Sequence, residues 1–410
     1  MNINNEITNS ITVNESKSIS NKDCNKLETI NKKYFFQNFC AILALTQVNI
    51  YGLILFASGL LDMPQKLTSI MLVYLVASIS NMMITLLKLE CCISFFTANV
   101  MFIIGSIFKL YFDHNNMTNF YTDISVFSIY GFAIGIIMNV VPVYISMTAH
   151  GNTKIMLLNA IGGLGVVGGL FIANNFYYYF NDVKFLLILI IFECSILGLL
   201  FISICKRCKI NGKLEIKYFK ELFTTGINST ILLIIAMIAN NLSGILYPIV
   251  EKQNIFGRNN QLTYDNLSNV IAMLCTVLAY YVNNGALGRK SALILSSIGC
   301  FITNILFAIL NIQYHKFICI LFIIVYNIGL GCIPFILIGE IVPLKVIQEG
   351  SFIGSFANWL GGAFASKTFI PNSNMNFIWS NVILIILIVY FVLFFTETKY
   401  QKESKYQPFK

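Results

Sequence analysis

Charge is scarce in this chain. Only 11% of its 410 residues are Asp, Glu, Lys or Arg, where a soluble domain carries roughly 25%. That excludes an ordinary soluble globule. Histidine is rarer still: His114, His150 and His315 are the three in the chain, and all fall in predicted connections. No nucleophile–His arrangement, metal-ligand cluster or phosphate-cradling loop is legible, so the residues point to no enzyme, no metal and no cofactor. Eleven cysteines are present, but none pair up in the outer loops, which a disulfide framework would require. Cys205-Lys-Arg-Cys208 has a metal-like spacing, yet two ligands do not make a zinc site. The simple reading is two reduced thiols at a helix end.

Apolar residues are what the chain has in excess, at 57% with a mean hydropathy of +0.75. They come in long runs, and a helix needs about 20 apolar residues to cross a bilayer core. Twelve runs of that kind are present: 35–61, 67–87, 91–112, 124–147, 155–173, 185–205, 227–250, 267–287, 291–312, 317–341, 352–370 and 377–395. The eighth is the least apolar, since it holds Asn283 and Asn284. The expectation is an all-α membrane protein with the lipid bilayer as its surroundings.

The net charge of +9 has an orientation meaning. Of the 27 Lys and Arg, twenty fall on the side of the N-terminal tail and seven on the other. That asymmetry places both termini in the cytosol, and it leaves no basic patch for nucleic acid. Residues 1–34 are polar and read as a disordered cytosolic tail, without the charged-then-apolar order of a signal peptide. Runs one to six (35–205) and seven to twelve (227–396) are separated by a basic cytosolic loop, 206–226, and 397–410 form a second tail. A 6+6 layout with one central loop is the signature of two repeats around a midplane site. A weak echo supports it: Gly131, Gly135 and Pro142 in run four resemble Gly329, Gly331 and Pro334 in run ten. No connection is long enough for a separate enzyme domain.

The most informative stretch is Gly329 to Trp359. It reads Gly329-Leu330-Gly331-Cys332-Ile333-Pro334-Phe335, then Gly339-Glu340-Ile341-Val342-Pro343, then Asn358-Trp359. Broken apolar helices carrying polar side chains are tolerated in a membrane where they line a cavity or are buried in protein. Asn240-Asn241-Leu242-Ser243-Gly244-Ile245, Gly288-Arg289-Lys290 and Thr396-Glu397-Thr398-Lys399 are further short motifs at helix breaks and ends.

Taken together, in this order and spacing, these motifs resemble those of the sugar-porter family of the major facilitator superfamily, which includes the facilitative glucose transporters. The resemblance covers about 35–400 and is best in the second half. It implies the major facilitator fold, twelve transmembrane helices in two six-helix halves, and movement of a hexose or similar polyol by alternating access. It also implies a substrate site at Asn240, Asn241, Asn327, Phe335, Asn358 and Gln47, and a cytosolic gate at Arg289, Lys290, Glu340 and Lys154. The plasma membrane is the implied location. There are departures. The family's sugar-binding Gln falls on Gly163, its helix-seven Asn on Leu246, its helix-ten Glu on Asn327 and its Trp on Phe335. The charged turn after helix two is reduced to Lys88 and Glu90, Met147 stands for a Glu, and Ile347 stands for an Arg. They leave open a different small solute, or a sugar sensor that does not transport.

The residue chemistry runs parallel. A side-chain amide donates and accepts, as a sugar hydroxyl does, and an unpartnered amide is costly to bury. Asn240 and Asn241 point about 100° apart on a helix, so one faces a central ligand and the other packs helices, or both pack helices. Gln47, Asn49 and Tyr51 are polar within run one. Phe335 offers a flat face for a sugar ring. Glu193, alone in run six, costs roughly 2.5–3.5 kcal/mol on insertion scales, and a proton relay is its functional reading. Run one has no acid and the family's early helix-four Arg falls near Phe127, so facilitated diffusion is expected.

The orientation is testable. Asn116-Met117-Thr118 is a glycosylation sequon in a loop expected outside, and Asn14-Glu15-Ser16 is one in the tail expected inside. In a secretory host only Asn116 should carry glycan. Glycan at Asn14, or cleavage within 206–220 by protease added outside, reverses the assignment.

Overall fold

The computed structural model describes residues 21–59, 63–87, 89–149, 151–205, 216–224, 226–251, 255–256, 261–285, 287–370 and 373–395. Among them the regular structure is helical throughout. The first half comprises α1 (Asn21–Gly59), α2 (Met63–Leu87), α3 (Cys91–His114) and α4 (Phe120–Thr148). It continues with α5 (Gly151–Ala160), a π-turn (Ile161–Val166), α6 (Val167–Phe180) and α7 (Val183–Cys205). After the short α8 (Ile216–Thr224), the second half comprises α9 (Ile227–Leu242), α10 (Leu246–Val250), α11 (Gln261–Asn284) and α12 (Gly288–Ile309). It ends with α13 (Ile312–Ile328), α14 (Ile333–Ile341), α15 (Ile347–Thr368) and α16 (Met375–Phe394).

Ten stretches are long and apolar enough to cross a membrane, including α5–α6 and α13–α14 taken through their breaks. The broken pair α9/α10 and the less apolar α15 complete the twelve spans. The exterior is apolar. Phe192, Leu199, Leu393 and Phe394 are each more than 60% exposed, an arrangement that a bilayer stabilises and water does not. The protein is a multi-pass membrane protein.

Two boundaries differ from the sequence expectation. Helix α1 begins at Asn21, so 21–34 are helical rather than an irregular tail; Lys and Leu in this stretch are good helix formers, and the apolar span beyond it propagates the helix. The basic loop contains α8, in which Ile216, Phe219, Leu222 and Phe223 recur at helical spacing. Leu222 is buried, its carbonyl accepts from Thr230 Oγ1 at 3.1 Å, and the Phe219 ring meets Phe352 edge-on at 5.9 Å. The tail 1–20, the Cys205–Cys208 spacing and the 396–399 motif lie wholly or partly outside the described residues.

The halves touch closely on the side that carries the termini. Asn81 Nδ2 donates to Phe352 O (3.1 Å), Ser351 Oγ to Asn139 O (3.0 Å) and Ser355 Oγ to Met138 O (3.3 Å). Nearer the centre, Asn159 Nδ2 donates to Thr276 O at 2.7 Å. On the opposite side, Lys66 Nζ reaches Val250 O at 3.0 Å, and Asn266 Nδ2 donates to Asn175 Oδ1 at 3.2 Å.

The π-turn decides how near the halves come. It reads Ile-Gly-Gly-Leu-Gly-Val, and its bare backbone lets α5–α6 lie flush against the second half. A Cβ at Gly162 would sit 2.8 Å from Gly331 O, and one at Gly163 would overlap the Thr276 side chain. Gly163 is where the motif resemblance places a sugar-binding Gln, and the space that such a side chain would need is taken by α11. Replacing Gly163 with Ala is therefore expected to destabilise the fold by about 1–3 kcal/mol through overpacking. A thermal-stability assay of the purified protein should show a lower melting temperature for Gly163→Ala, partly restored by Thr276→Gly in the same chain.

Candidate substrate cavity and gate

Three helix breaks converge near the middle of the molecule, and each exposes backbone groups that a membrane interior cannot hydrate. At Ser243–Gly244 the seventh span unwinds. Gly244 has φ +100°, the left-handed region that favours glycine, and Asn304 Nδ2 caps the freed Ser243 carbonyl at 3.0 Å. At Gly329–Cys332 the tenth span unwinds. There Ser296 Oγ accepts from Leu330 N (3.0 Å), Asn240 Nδ2 donates to Leu330 O (2.7 Å), and Asn283 Nδ2 donates to Ile328 O (3.1 Å). The third break is the π-turn of the fifth span.

Between these breaks lies a cavity of about 180 Å³. Asn240, Asn241, Asn327, Phe335 and Asn358 all line it, from α9, α13, α14 and α15. The first half contributes Tyr51, Tyr74, Met138 and Gly162. Trp359 is buried just behind, its ring 5.8 Å from Tyr51 and 5.5 Å from Tyr74. The wall contains no Asp, Glu, His, Lys or Arg among the described residues.

The amides are already engaged with protein. Besides the Asn240 cap, Asn241 Nδ2 donates to Asn358 O at 2.9 Å and to Asn358 Oδ1 at 2.8 Å. Asn327 Nδ2 donates to Ile323 O at 2.8 Å. Asn240 ties α9 to the unwound tenth span and Asn241 ties α9 to α15, while Asn327 bonds within its own helix.

Gln47 is a correction. It does not line the cavity. It is fully buried, and neither its Nε2 nor its Oε1 has a partner among the described residues. Tyr51, one turn away on the same face of α1, takes the place at the wall that was expected of Gln47. His315 is a second correction. It lies in α13 rather than a loop, buried against Phe307, with Nδ1 2.7 Å from Tyr247 Oη and Nε2 3.0 Å from Leu310 O. Glu193 lies on α7 and does not line the cavity.

The expected gate residues separate. Arg289 is buried, and its Nη2 meets Glu340 Oε1 at 2.7 Å while Nη1 donates to Asn283 O at 2.6 Å. Lys154, from the other half, packs its stem beside Gly339, where an added Cβ would be 3.1 Å from its Cε. Lys290 points away; its Nζ donates to Val392 O at the end of α16, at 2.9 Å. Its position one residue after Arg289 turns it about 100° around the helix, toward α16 and away from Glu340.

The Sugar (and other) transporter family model matches residues 204–408, which is half of the chain. The chain belongs to this transporter family. Among curated relatives, it is 29% identical over 147 residues to the facilitated trehalose transporter Tret1 of Apis mellifera ligustica, covering 32% of this chain and 29% of that protein. It is 25% identical over 204 residues to the Tret1 of Bombyx mori, covering 44% of this chain and 40% of that protein. It is also 30% identical over 94 residues to membrane transporter D1 of Leishmania donovani, covering 20% of this chain and 17% of that protein. The chain thus spans less than half the length of these relatives. The fold matches solved structures far more widely. The major facilitator superfamily proton:xylose symporter XylE, bound to a bromodeoxyglucose, superposes with a TM-score of 0.68 at 16% identity, covering 88% of this chain and 97% of that one. A double-Trp XylE mutant gives 0.71 at 14% identity, with 90% and 98% covered. The family member described here therefore has the major facilitator fold.

The Arg289–Glu340 pair carries the prediction from this region. Removing one partner of a buried pair strands the other charge, at a cost of about 3–5 kcal/mol. Glu340→Ala should sharply lower the melting temperature in detergent, whereas the double change Arg289→Leu with Glu340→Leu should recover most of the loss. Equal losses in the single and double variants would show that the pair acts through something other than charge.

Proposed function

We propose that this protein is a carrier that moves a hexose or similar polyol by alternating access and facilitated diffusion, in the plasma membrane with both termini cytosolic. The observation that supports this reading is the cavity: it lies between the two six-helix halves, walled by aromatic faces and by side-chain amides. A water needs roughly 10–15 Å³ of such space. About 180 Å³ therefore takes at least on the order of a dozen water-sized groups, enough for a monosaccharide. Aromatic faces suit the apolar side of a sugar ring, and the amide oxygens suit its hydroxyl protons. Asn240, Asn241, Asn327, Phe335 and Asn358 are the substrate contacts under this reading. The Arg289–Glu340 pair and Lys154 hold the gate on the terminal side.

The described cavity wall carries amides, hydroxyls and aromatic faces rather than carboxylates or basic groups, which supports uncoupled transport. Glu193 on α7 stands apart from the solute path. The inter-half bonds Asn81–Phe352, Ser351–Asn139 and Ser355–Met138 close the terminal side in this conformation, and they must break for release to the cytosol.

The test is uptake of labelled solutes in a host lacking its own hexose carriers. The panel should include hexoses, xylose, a polyol and trehalose, the last because relatives are named for it. Saturable uptake of a monosaccharide, unchanged in initial rate by a protonophore at constant ATP, is expected. No uptake of any sugar removes the reading, and strong protonophore inhibition replaces diffusion with proton coupling.

A further inference from the structure

Past its break, the seventh span continues as α10, only five residues long. A single helical turn has little stability of its own, and Pro248 within it brings no N–H. Its place is therefore set by other helices. Leu246, Pro248 and Ile249 line the cavity, so the position of α10 is the position of one wall. Tyr247 packs in another direction, its ring centre 4.7 Å from that of Phe377 and 4.9 Å from that of Phe307. Its hydroxyl meets His315 Nδ1 at 2.7 Å. The other ring nitrogen, Nε2, lies 3.0 Å from Leu310 O in the connection between α12 and α13. A carbonyl only accepts, so Nε2 carries hydrogen, and in the neutral ring Nδ1 is left to accept the Tyr247 O–H. One backbone carbonyl thus fixes the tautomer, the ring and the hydroxyl. A Phe at 315 would fill the same aromatic cluster with no polar atom to satisfy. A buried hydrogen bond adds only modestly to net stability; what the histidine adds is direction. At its far end α10 is held from the first half, where Lys66 Nζ on α2 donates to Val250 O at 3.0 Å.

We infer that His315 is a positioning residue of the substrate cavity: through the Tyr247 hydroxyl it holds α10, and with it the wall formed by Leu246, Pro248 and Ile249. The inference rests on the proposed sugar-carrier reading and adds to it a residue that touches no solute. The two holds on α10 differ in kind. The Lys66 bond crosses between the halves, so opening the side away from the termini breaks it. The Tyr247–His315 bond stays inside the second half and keeps the wall in register when Lys66 lets go. A wall that is already ordered spares the ligand the cost of ordering it, so the bond is read out in affinity.

The experiment is a double-mutant cycle on uptake. Tyr247→Phe removes the hydroxyl and keeps the ring; His315→Leu removes its acceptor. Initial uptake of the preferred monosaccharide is measured for wild type, both single variants and the double variant at normalised surface expression, with the melting temperature of each purified protein. Each single variant should raise the half-saturation concentration about fivefold, with a smaller change in the maximal rate per surface molecule. The double variant should show about the same fivefold rise, because the two residues act through one bond. His315→Gln, whose amide can accept at Oε1 and donate at Nε2, should lie between wild type and His315→Leu. Independent effects, multiplying to roughly twenty-five-fold in the double variant, overturn the inference. So does a lower melting temperature with an unchanged half-saturation concentration, which is the mark of a purely structural contact; the carrier reading survives both results. Should His315→Leu not reach the surface, Tyr247→Phe alone decides: a raised half-saturation concentration supports the inference and an unchanged one overturns it. A wild type that transports no sugar in the panel overturns both this inference and the carrier reading.

Discussion

Everything at the centre of this protein follows from one constraint: a backbone group freed inside a membrane must find its partner in the protein itself. The chain breaks its seventh and tenth spans and distorts its fifth, all at the same depth of the fold. Each break opens carbonyls and amides, and polar side chains from neighbouring helices close them. Asn304 serves the Ser243 carbonyl; Ser296, Asn240 and Asn283 serve the segment around Leu330. Those side chains are then fixed in direction by the backbone they cap. The cavity is what remains between the capped breaks, and of these capping groups Asn240 reaches its wall.

The same breaks let the two halves meet. Gly162 on the π-turn faces the Gly331 carbonyl on the unwound tenth span, and Gly163 lies against Thr276. Contact between bare backbones leaves little volume for side chains at the floor of the cavity, and Thr276 occupies the room that a side chain at Gly163 would need. On the terminal side the seal is made by neutral hydroxyl and amide donors reaching backbone carbonyls, with Arg289–Glu340 bracing the second half from within. Those neutral bonds have little of the long-range screening by salt that governs exposed ion pairs. Their strength depends on how well the two surfaces fit.

Much of this was legible from the residues, for physical reasons. Apolar runs of bilayer length announce spans because hydrocarbon admits little else, and Gly329-Leu330-Gly331 followed by Pro334 announces a break because glycine and proline weaken a helix locally. The amides of Asn240, Asn241, Asn327 and Asn358 were likewise visible as polar atoms in apolar runs, and all four reach the cavity wall. What stayed hidden was tertiary. Ile161–Val166 reads as a glycine-rich helix, and only its packing against α11 makes it a π-turn. Gln47 looked like a wall residue, yet it is sealed one turn from Tyr51. His315 sat in an assumed loop because the tenth span's helix starts earlier than its apolar run. Asn269 of α11, which also lines the cavity, gave no signal at all, since one Asn in the least apolar span looks like a surface residue until its neighbours are known.

The division of labour among the amides bears on how a solute could drive the fold between states. An amide that caps a broken helix has a direction set by that helix, so its free oxygen moves when the break moves. Under the carrier reading, a ligand bound at Asn240 and Asn358 touches α9, whose amide caps the unwound tenth span, and α15, whose Ser351 and Ser355 make bonds of the terminal-side seal. A ligand that also reaches Tyr51 and Tyr74 touches the first half of the fold, and so ties elements on either side of the Gly162–Gly331 contact. A ligand shifts a conformational equilibrium only through its differential contacts with the two states, and a bridge across that contact is where such a difference is largest.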